Sequence, residues 1–557
     1  MERLFVRLMN ARALPRMLAL CVCVLGLPSL AIGLQADDFV LAQQVRSHPF
    51  DAFAFIPGGP ATNELRERGL LNWSASHGLK LRLLRPLASL THALDFALWP
   101  EAAWWMHLEN VLLYAALVGL AALLYTELLG SGMAAGLAAM FYAFSPAHAT
   151  PLGWISARNT ILCALLGMLS VLLFVRAKPL AAACVHALAL LAGEAALATV
   201  APMLAFVLLL DGGSRRSRAL RVLPHVLLCV GYLFVYARLG YGAAHGGMYL
   251  DALHNPWAVI ENLVMAVPLY LHSSLIVPHA ALAGLMPSGV WLLVLVACVT
   301  LALLTPWIWP ALRTDKRARF FALSALGSIL PLSAAMPQDR LAFFVGFGGC
   351  GLLALALSAT GGAPFRGVPR ALFQLHTSCA VIAFVPLCFV CRSPAVGGAP
   401  SALRSALVDA AGREAVILNV PIESAIPTLD AMVQENKPRS MRALYVGGAA
   451  YDVQRVDART LDVHVARAWF SNMLERIARD PDEEPFAAGD IETTDVFSAR
   501  VLEVDERGAP LRVRFEFIAS LDDPRWLWLR LDGAHALPWV PPRIGEAQSL
   551  AAAGLLL

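Results

Sequence analysis

The sequence predicts a polytopic α-helical membrane protein of about eleven transmembrane helices, closed by a β-rich C-terminal domain. Three observations carry this. Of the 557 residues 58% are hydrophobic and 15% charged, against about 25% charged in soluble domains, and the mean hydropathy is +0.63. Clusters of Lys and Arg recur on alternate sides of successive apolar runs, the pattern of cytoplasmic loops. From Arg392 onward the chain turns hydrophilic, and period-two alternation replaces the long apolar runs. The net charge of +3 is too small to indicate a nucleic-acid partner. The lipid bilayer is the partner that composition demands.

The first element is an apolar run, residues 17–34, preceded by Arg3, Arg7, Arg12 and Arg16. Small-x-small cleavage patterns occur at Ser29-Leu30-Ala31 and Ala31-Ile32-Gly33, but the run is long enough to span and is read as an uncleaved anchor in an inner or plasma membrane. The N-terminus is then cytoplasmic, and Asp37 emerges on the outer face. Residues 36–106 form a large first outer loop, whose patches at 53–56, 70–73, 94–99 and 104–105 suit interfacial helices. Spans are expected near 107–129, 133–149, 158–175, 179–192, 195–210, 221–240, 289–310, 320–336, 341–360 and 371–391. Were residues 256–285 to cross once, the Arg215 and Lys316 clusters would fall on opposite faces. That segment is therefore read as re-entrant or surface-lying, which puts the C-terminus outside.

The membrane domain so delimited is 1–392, and residues 393–557 form an extracytoplasmic domain, opened by a Pro/Gly-rich linker at 393–400. Strands are expected at 416–420, 443–446, 460–465, 501–505, 511–517 and 526–531, with a turn at Glu506-Arg507-Gly508 and a helix around 466–479. All ten cysteines lie in or beside apolar runs and read as small core residues. Gly346-Phe-Gly-Gly-Cys-Gly351 matches a dinucleotide-binding string but follows no strand, so close helix packing accounts for it. Asn72-Trp73-Ser74 has the form of a glycosylation sequon.

Polar residues collect at the outer ends of the spans: Asp37, Asp38, Arg85, His107, Glu109, Asn110, His148, Arg158, Asn159, Glu194, Asp339 and Arg340. Ionisable groups at membrane depth are costly unless they meet in a cavity, so a shared polar site is expected. The adjacent carboxylates Asp37 and Asp38 suit a general base or a divalent-cation site. Arg85, Arg158 and Arg340 suit a phosphate, which a guanidinium grips with two parallel bonds.

The stretch Phe144-Ser-Pro-Ala-His-Ala-Thr-Pro-Leu-Gly-Trp-Ile-Ser-Ala-Arg158 resembles the polytopic GT-C glycosyltransferases, in particular their O-mannosyltransferase-like branch that often carries tetratricopeptide repeats. The Asp37-Asp38 pair, Arg85-Pro-Leu87, His107-x-x-Asn110, Leu191-Ala-Gly-Glu194 and Asp339-Arg340 match in the same order. Ser145, Thr150, Ala192-Gly193 and Leu341 stand where the family motifs have His, Glu, Ser-Lys and Tyr, and no repeats are present. The resemblance implies a GT-C-like fold and transfer of a sugar, mannose among the candidates, from a polyprenyl-phosphate donor to a protein, lipid or glycan acceptor. It assigns Asp37 or Asp38 as base or metal partner, Arg158 and Arg340 as donor-phosphate contacts and Glu194 as a supporting acid. Arg85, His107, Asn110, His148 and Asp339 complete the expected substrate-binding set. A lipid-linked-saccharide transporter and an inactive membrane scaffold are the rival readings. No symmetry between halves supports the transporter.

Overall fold

The computed structural model describes residues 9–551 except 253, 285–288, 360–366, 393–397, 408–409, 434–436, 473 and 534. Its first two-thirds is helical and its last third is built on sheets, the fold class expected. Among the described residues, seven helices are long and apolar enough to cross a membrane, and four shorter apolar helices, including Pro179–Ala192 and Phe343–Ser358, pack among them. Apolar side chains left exposed along Arg215–Arg238 and Val290–Thr314, such as Leu227, Phe234, Leu295 and Leu303, face where lipid would be. Of the ten cysteines, Cys163, Cys350, Cys388 and Cys391 are buried and all are free. The Gly346–Gly351 string does serve packing. A Cβ at Gly348 would lie 2.5 Å from the Phe321 carbonyl oxygen, and one at Gly349 would lie 2.6 Å from Ser274 Oγ.

Pro256–Leu275 is one continuous helix of 20 residues. It is anchored at both ends to the turn that follows Lys316–Leu332. Before the helix, Leu250 N–H donates to the Ala334 carbonyl, and in its second turn Asn262 Nδ2 donates to the Ser333 carbonyl. After it, Asp339 accepts from the backbone N–H of Ala280 and Ala281. The chain therefore leaves and rejoins the same side of the bundle. Leu285 lies outside the described residues.

Of the four patches expected to form interfacial helices, 94–99 and 104–105 fall at the exposed ends of the helices Pro86–Leu98 and Ala103–Leu129, while 53–56 and 70–73 are not helical. Ala54–Ile56 is a strand, pairing with Lys80–Arg82, which in turn pairs with Gly242–Ala244. The 70–73 patch is a strap inserted into the C-terminal domain. Trp73 packs edge-on against Trp469 and Phe515, with ring centroids 5.0 and 5.6 Å away, and its indole N–H donates to the Leu444 carbonyl at 2.9 Å. Asn72 Nδ2 donates to the Ala443 carbonyl and its backbone N–H to Glu423. Buried and committed in this way, the Asn72 amide has no room for a glycan. Arg442 reaches back to the carbonyls of Arg66 and Glu67. A tryptophan with an indole donor and an aromatic box gains more from a protein core than from the headgroup layer, which is why the expected membrane-surface patch is a clasp.

The C-terminal domain holds a four-stranded sheet and a six-stranded sheet. Glu414–Val420 pairs in parallel with both Ser440–Val446 and Trp526–Asp532. Phe497–Val504 and Pro510–Phe517 form the expected hairpin, turning at Gly508, whose φ of +76° suits glycine. The helix expected over 466–479 is absent; only Glu475–Ile477 makes a 3₁₀ turn. The cause is side-chain bonding that competes with helix formation: buried Glu475 accepts from Ser471 N–H, Ser471 Oγ and Asn472 Nδ2. Helices form instead at Ala399–Ala406 and Ala425–Met432.

Candidate active site

The chain leaves the first span through Gly33 at φ +78° and Ala36 at φ +43°. An alanine in the left-handed region costs about 1–2 kcal/mol, and here it turns the next two carboxylates inward. The pair then divides. Asp38 opens the helix Asp38–Ser47 and is fully buried. Its Oδ1 accepts from Ser156 N–H at 2.7 Å and its Oδ2 from Gln35 N–H at 2.8 Å. Burial, and then the neighbouring Asp37, push its pKa up to about 8, against the pull of those backbone donors. Asp37 is half-buried. Its Oδ1 accepts from Trp154 Nε1 at 2.6 Å and Ser156 Oγ at 2.7 Å, while Oδ2 accepts from no other residue among those described. Burial raises Asp37 above the ordinary aspartate range, and Ser156, Trp154 and the charge of Arg340 oppose it.

Arg340 completes this group. Its guanidinium carbon sits 4.5 Å from the Trp154 ring centroid, and its Nε is held by Gln338 Oε1. Among the described residues its terminal nitrogens have no hydrogen-bond or ion-pair partner, so they are available to an anion. The segment carrying Trp154 is fixed by the last span: a Cβ on Gly153 would fall 1.7 Å from the Cys388 carbonyl oxygen, so only glycine fits there.

Arg85 forms a second group. It bonds Glu194 at 2.8 Å and lies 5.1 Å from the Phe53 ring centroid. Ala195, next to Glu194, packs against the cluster that holds Ala325, Ile329 and Ala342. Asp339 points elsewhere, to Ala280 and Ala281, and serves as an anchor.

Arg158 does not take the place expected of a phosphate contact. It is fully buried, with Nη1 2.5 Å from Asp95 and 3.0 Å from Glu109, Nε donating to Asn110 and Nη2 to the Met106 carbonyl. Every face of the fork is used, so Arg158 acts as a structural hub. Asn110 in turn bonds the Pro151 carbonyl. The ring nitrogens of His107 lie 2.8 and 2.9 Å from the carbonyls of Leu152 and Gly33, tying the first span's exit to the Trp154 turn. His148 is a core residue stacked on Phe343 at 4.4 Å. These three residues position the loop and are too enclosed to meet a substrate. Asn159 is buried on the Arg85 side, where its Nδ2 and Arg85 Nε would each lie 3.4 Å from a Cβ on Gly193.

Sequence reasoning missed Trp154 and Ser156, which hold Asp37, together with Gln338 and Asp95. The first two lie inside the quoted motif. Polar side chains ordered behind two adjacent carboxylates were the available signal.

The aspartate pair offers little to a cation. Three of its four carboxylate oxygens already accept from protein donors, and among the described residues no three His, Cys, Asp or Glu side chains converge. A divalent cation takes about six or more oxygen ligands, and Asp37 Oδ2 is the one oxygen of the pair left open to it.

No protein-family profile matches the chain. A stretch of 107 residues is 34% identical to Protein O-mannosyl-transferase TMTC2 of Mus musculus and of Homo sapiens. It covers 19% of this chain and 12% of each of those proteins, so the chain matches about an eighth of its curated relatives. This bears out the resemblance carried by the motifs. Among solved structures, the chain is similar to ArnT from Cupriavidus metallidurans in the apo state, at TM-score 0.40 and 13% identity, covering 76% of this chain and 84% of that one. It is also similar to the same protein bound to undecaprenyl phosphate, at TM-score 0.39 and 13% identity, covering 92% and 100%.

Proposed function

We propose that this chain is a GT-C-type membrane glycosyltransferase, moving a sugar from a polyprenyl-phosphate donor to an acceptor at the outer membrane face. The observation that carries the reading is the pairing of a half-buried carboxylate with an unpaired guanidinium across one indole: Asp37, Trp154 and Arg340. In the step proposed, Asp37 takes the proton of an acceptor hydroxyl whose oxygen bonds to the anomeric carbon. The bond from that carbon to the donor's phosphate oxygen breaks, and the polyprenyl phosphate leaves with the electron pair. Arg340 offsets the charge that grows on that phosphate, the kind of aimed electrostatic help that contributes most to such steps. A carboxylate raised by burial is a stronger base than an exposed one. Arg85, oriented by Glu194, is the second candidate for phosphate contact. No step is routed through a metal. Mannose is the sugar that the TMTC2 likeness suggests.

The topology proposed has eleven crossings, a cytoplasmic N-terminus, and the C-terminal domain outside. The clasp between the first loop and the C-terminal domain supports this, since it requires both on one face. The anchoring of Pro256–Leu275 at both ends supports leaving that helix out of the count. Alkaline phosphatase fused after Arg392 is expected to be active, and a stable but inactive fusion would refute the topology. The function is tested by mass spectrometry of lipid-linked sugars and glycans with and without the protein. The result expected is a glycan lost, and its donor accumulated, when the protein is absent.

A further inference from the structure

A cavity of about 900 Å³ opens between the first outer loop and the C-terminal domain. Leu34 and Phe39 line it, and they bracket the aspartate pair in the chain. One face of the Asp38–Ser47 helix supplies Phe39 and Arg46, the Ala399–Ala406 helix supplies Arg404, and the Ala425–Met432 helix supplies Met432. Phe96, and Glu101 just beyond the Pro86–Leu98 helix, complete the lining used here. Arg46 and Arg404 are both exposed. Neither has a side-chain hydrogen bond or ion pair among the described residues. Two unpaired guanidiniums thus come from separate domains to one cavity otherwise walled largely by apolar side chains.

Its depth relative to the membrane can be read nearby. Leu94 and Leu98 are 52% and 64% exposed, and Trp104 and Trp105 are 45% and 40% exposed, with the two indoles stacked at 4.1 Å. Exposed tryptophans collect at the headgroup level, and this group flanks Pro100 and Glu101 on the cavity's rim. The cavity therefore opens at headgroup depth, lined by apolar side chains such as Phe39, Phe96 and Met432 beside polar surface and two free positive charges.

We propose that this cavity seats the sugar acceptor, and that the acceptor is a membrane-anchored amphiphile with an anionic headgroup. Its phosphate or carboxylate lies between Arg46 and Arg404, and its apolar part lies against Phe39, Phe96 and Met432. Glu101 accepts a hydroxyl of the same headgroup. The name acceptor rests on the transfer reading above; the binding of an anionic amphiphile does not.

The test uses the full chain in phosphatidylcholine nanodiscs with two photoactivatable diazirine lipids, a phosphatidic acid and a phosphatidylcholine. Cross-linked peptides are mapped by mass spectrometry. Two arginines at a lipid surface change occupancy by about tenfold or more. The phosphatidic acid probe is therefore expected to label the Asp38–Ser47 and Ala399–Ala406 helices by that factor above the phosphatidylcholine probe. The Arg46→Gln/Arg404→Gln double variant should erase the difference. Equal labelling by both probes, or labelling unchanged in the double variant, overturns the proposal. So does complete competition by inorganic phosphate, which would make this a site for free anions. Failed labelling with transfer activity intact sinks the cavity assignment and leaves the transfer chemistry standing. Labelling by a protein that transfers no sugar sinks its role as an acceptor site.

Discussion

Replacing Trp73 by alanine tests how the membrane domain and the C-terminal domain are joined. Trp73 is 3% exposed, sits within 6.0 Å of three aromatic rings and donates to the Leu444 carbonyl. Removing a buried tryptophan side chain typically costs about 3–5 kcal/mol. For a unit of about 150–250 residues each kcal/mol moves the melting point by about 2–4 °C, so the C-terminal domain should melt roughly 6–20 °C lower. Trp73→Phe keeps a ring but leaves the Leu444 carbonyl unpaired, a loss of about 1–3 kcal/mol, and should fall in between. The assay is the unfolding transition of the full chain in detergent, read alongside tryptic cleavage at Arg66 and Arg68. Wild type should resist cleavage at Arg66, which is held by Glu492 and Arg442, and Trp73→Ala should expose it. A transition unmoved by Trp73→Ala would refute the clasp.

The pH dependence of transfer follows from the burial of Asp37. A base must be ionised, so activity is lost as pH falls through the raised pKa, and the acid limb of the profile should lie above the ordinary aspartate range. Arg340→Gln removes a charge that lowers this pKa, so the limb should move further up; a limb at ordinary carboxylate pH in both proteins would contradict the assignment. Arg158→Ala strands the buried Asp95 carboxylate and should cost about 3–5 kcal/mol, read as lost folded protein in fluorescence size-exclusion; a well-folded variant defective only in donor affinity would restore the phosphate-contact reading. Chelators should leave transfer intact, because three of the four aspartate oxygens already accept from protein donors; loss of activity in EDTA that Mg²⁺ or Mn²⁺ restores would refute this.

Legibility in the sequence followed the range of the forces involved. Apolar runs and charge alternation are local, and they located the long apolar helices, while Asp38–Ser47, Pro60–Glu67, Ala399–Ala406 and Ala425–Met432 carry no such signal. Period-two alternation located Pro510–Phe517, and the strands expected at 460–465 and 526–531 formed as Thr460–Val465 and Trp526–Asp532. Contacts between distant segments were not legible. Trp73 meets Leu444 across 371 positions, and nothing near Trp73 in the chain separates a domain clasp from a membrane-surface tryptophan. The same holds for the site. Most outer-end polar residues were visible, Asp95, Ser156 and Gln338 excepted, but Arg158 and Arg340 look alike as sequence. Only packing reveals that Asp95, Glu109 and Asn110 enclose the first, while the second keeps its terminal nitrogens free. Asp37 and Asp38 likewise differ through the reach of the Trp154-Ile-Ser156 turn, which gives one carboxylate backbone donors and leaves the other an open oxygen.

The central claim is that Asp37 is the base of a sugar-transfer reaction. The measurement that tests it most directly is single-turnover transfer by purified Asp37→Asn and Asp38→Asn proteins with a polyprenyl-phosphate sugar donor, each checked for native folding. General-base catalysis typically contributes about 10²- to 10⁴-fold, so Asp37→Asn should slow transfer by roughly that factor while donor affinity and melting point hold. Asp38→Asn should instead act on stability, through the backbone bonds that Asp38 makes to Gln35 and Ser156. Full transfer activity in a folded Asp37→Asn protein would contradict the account.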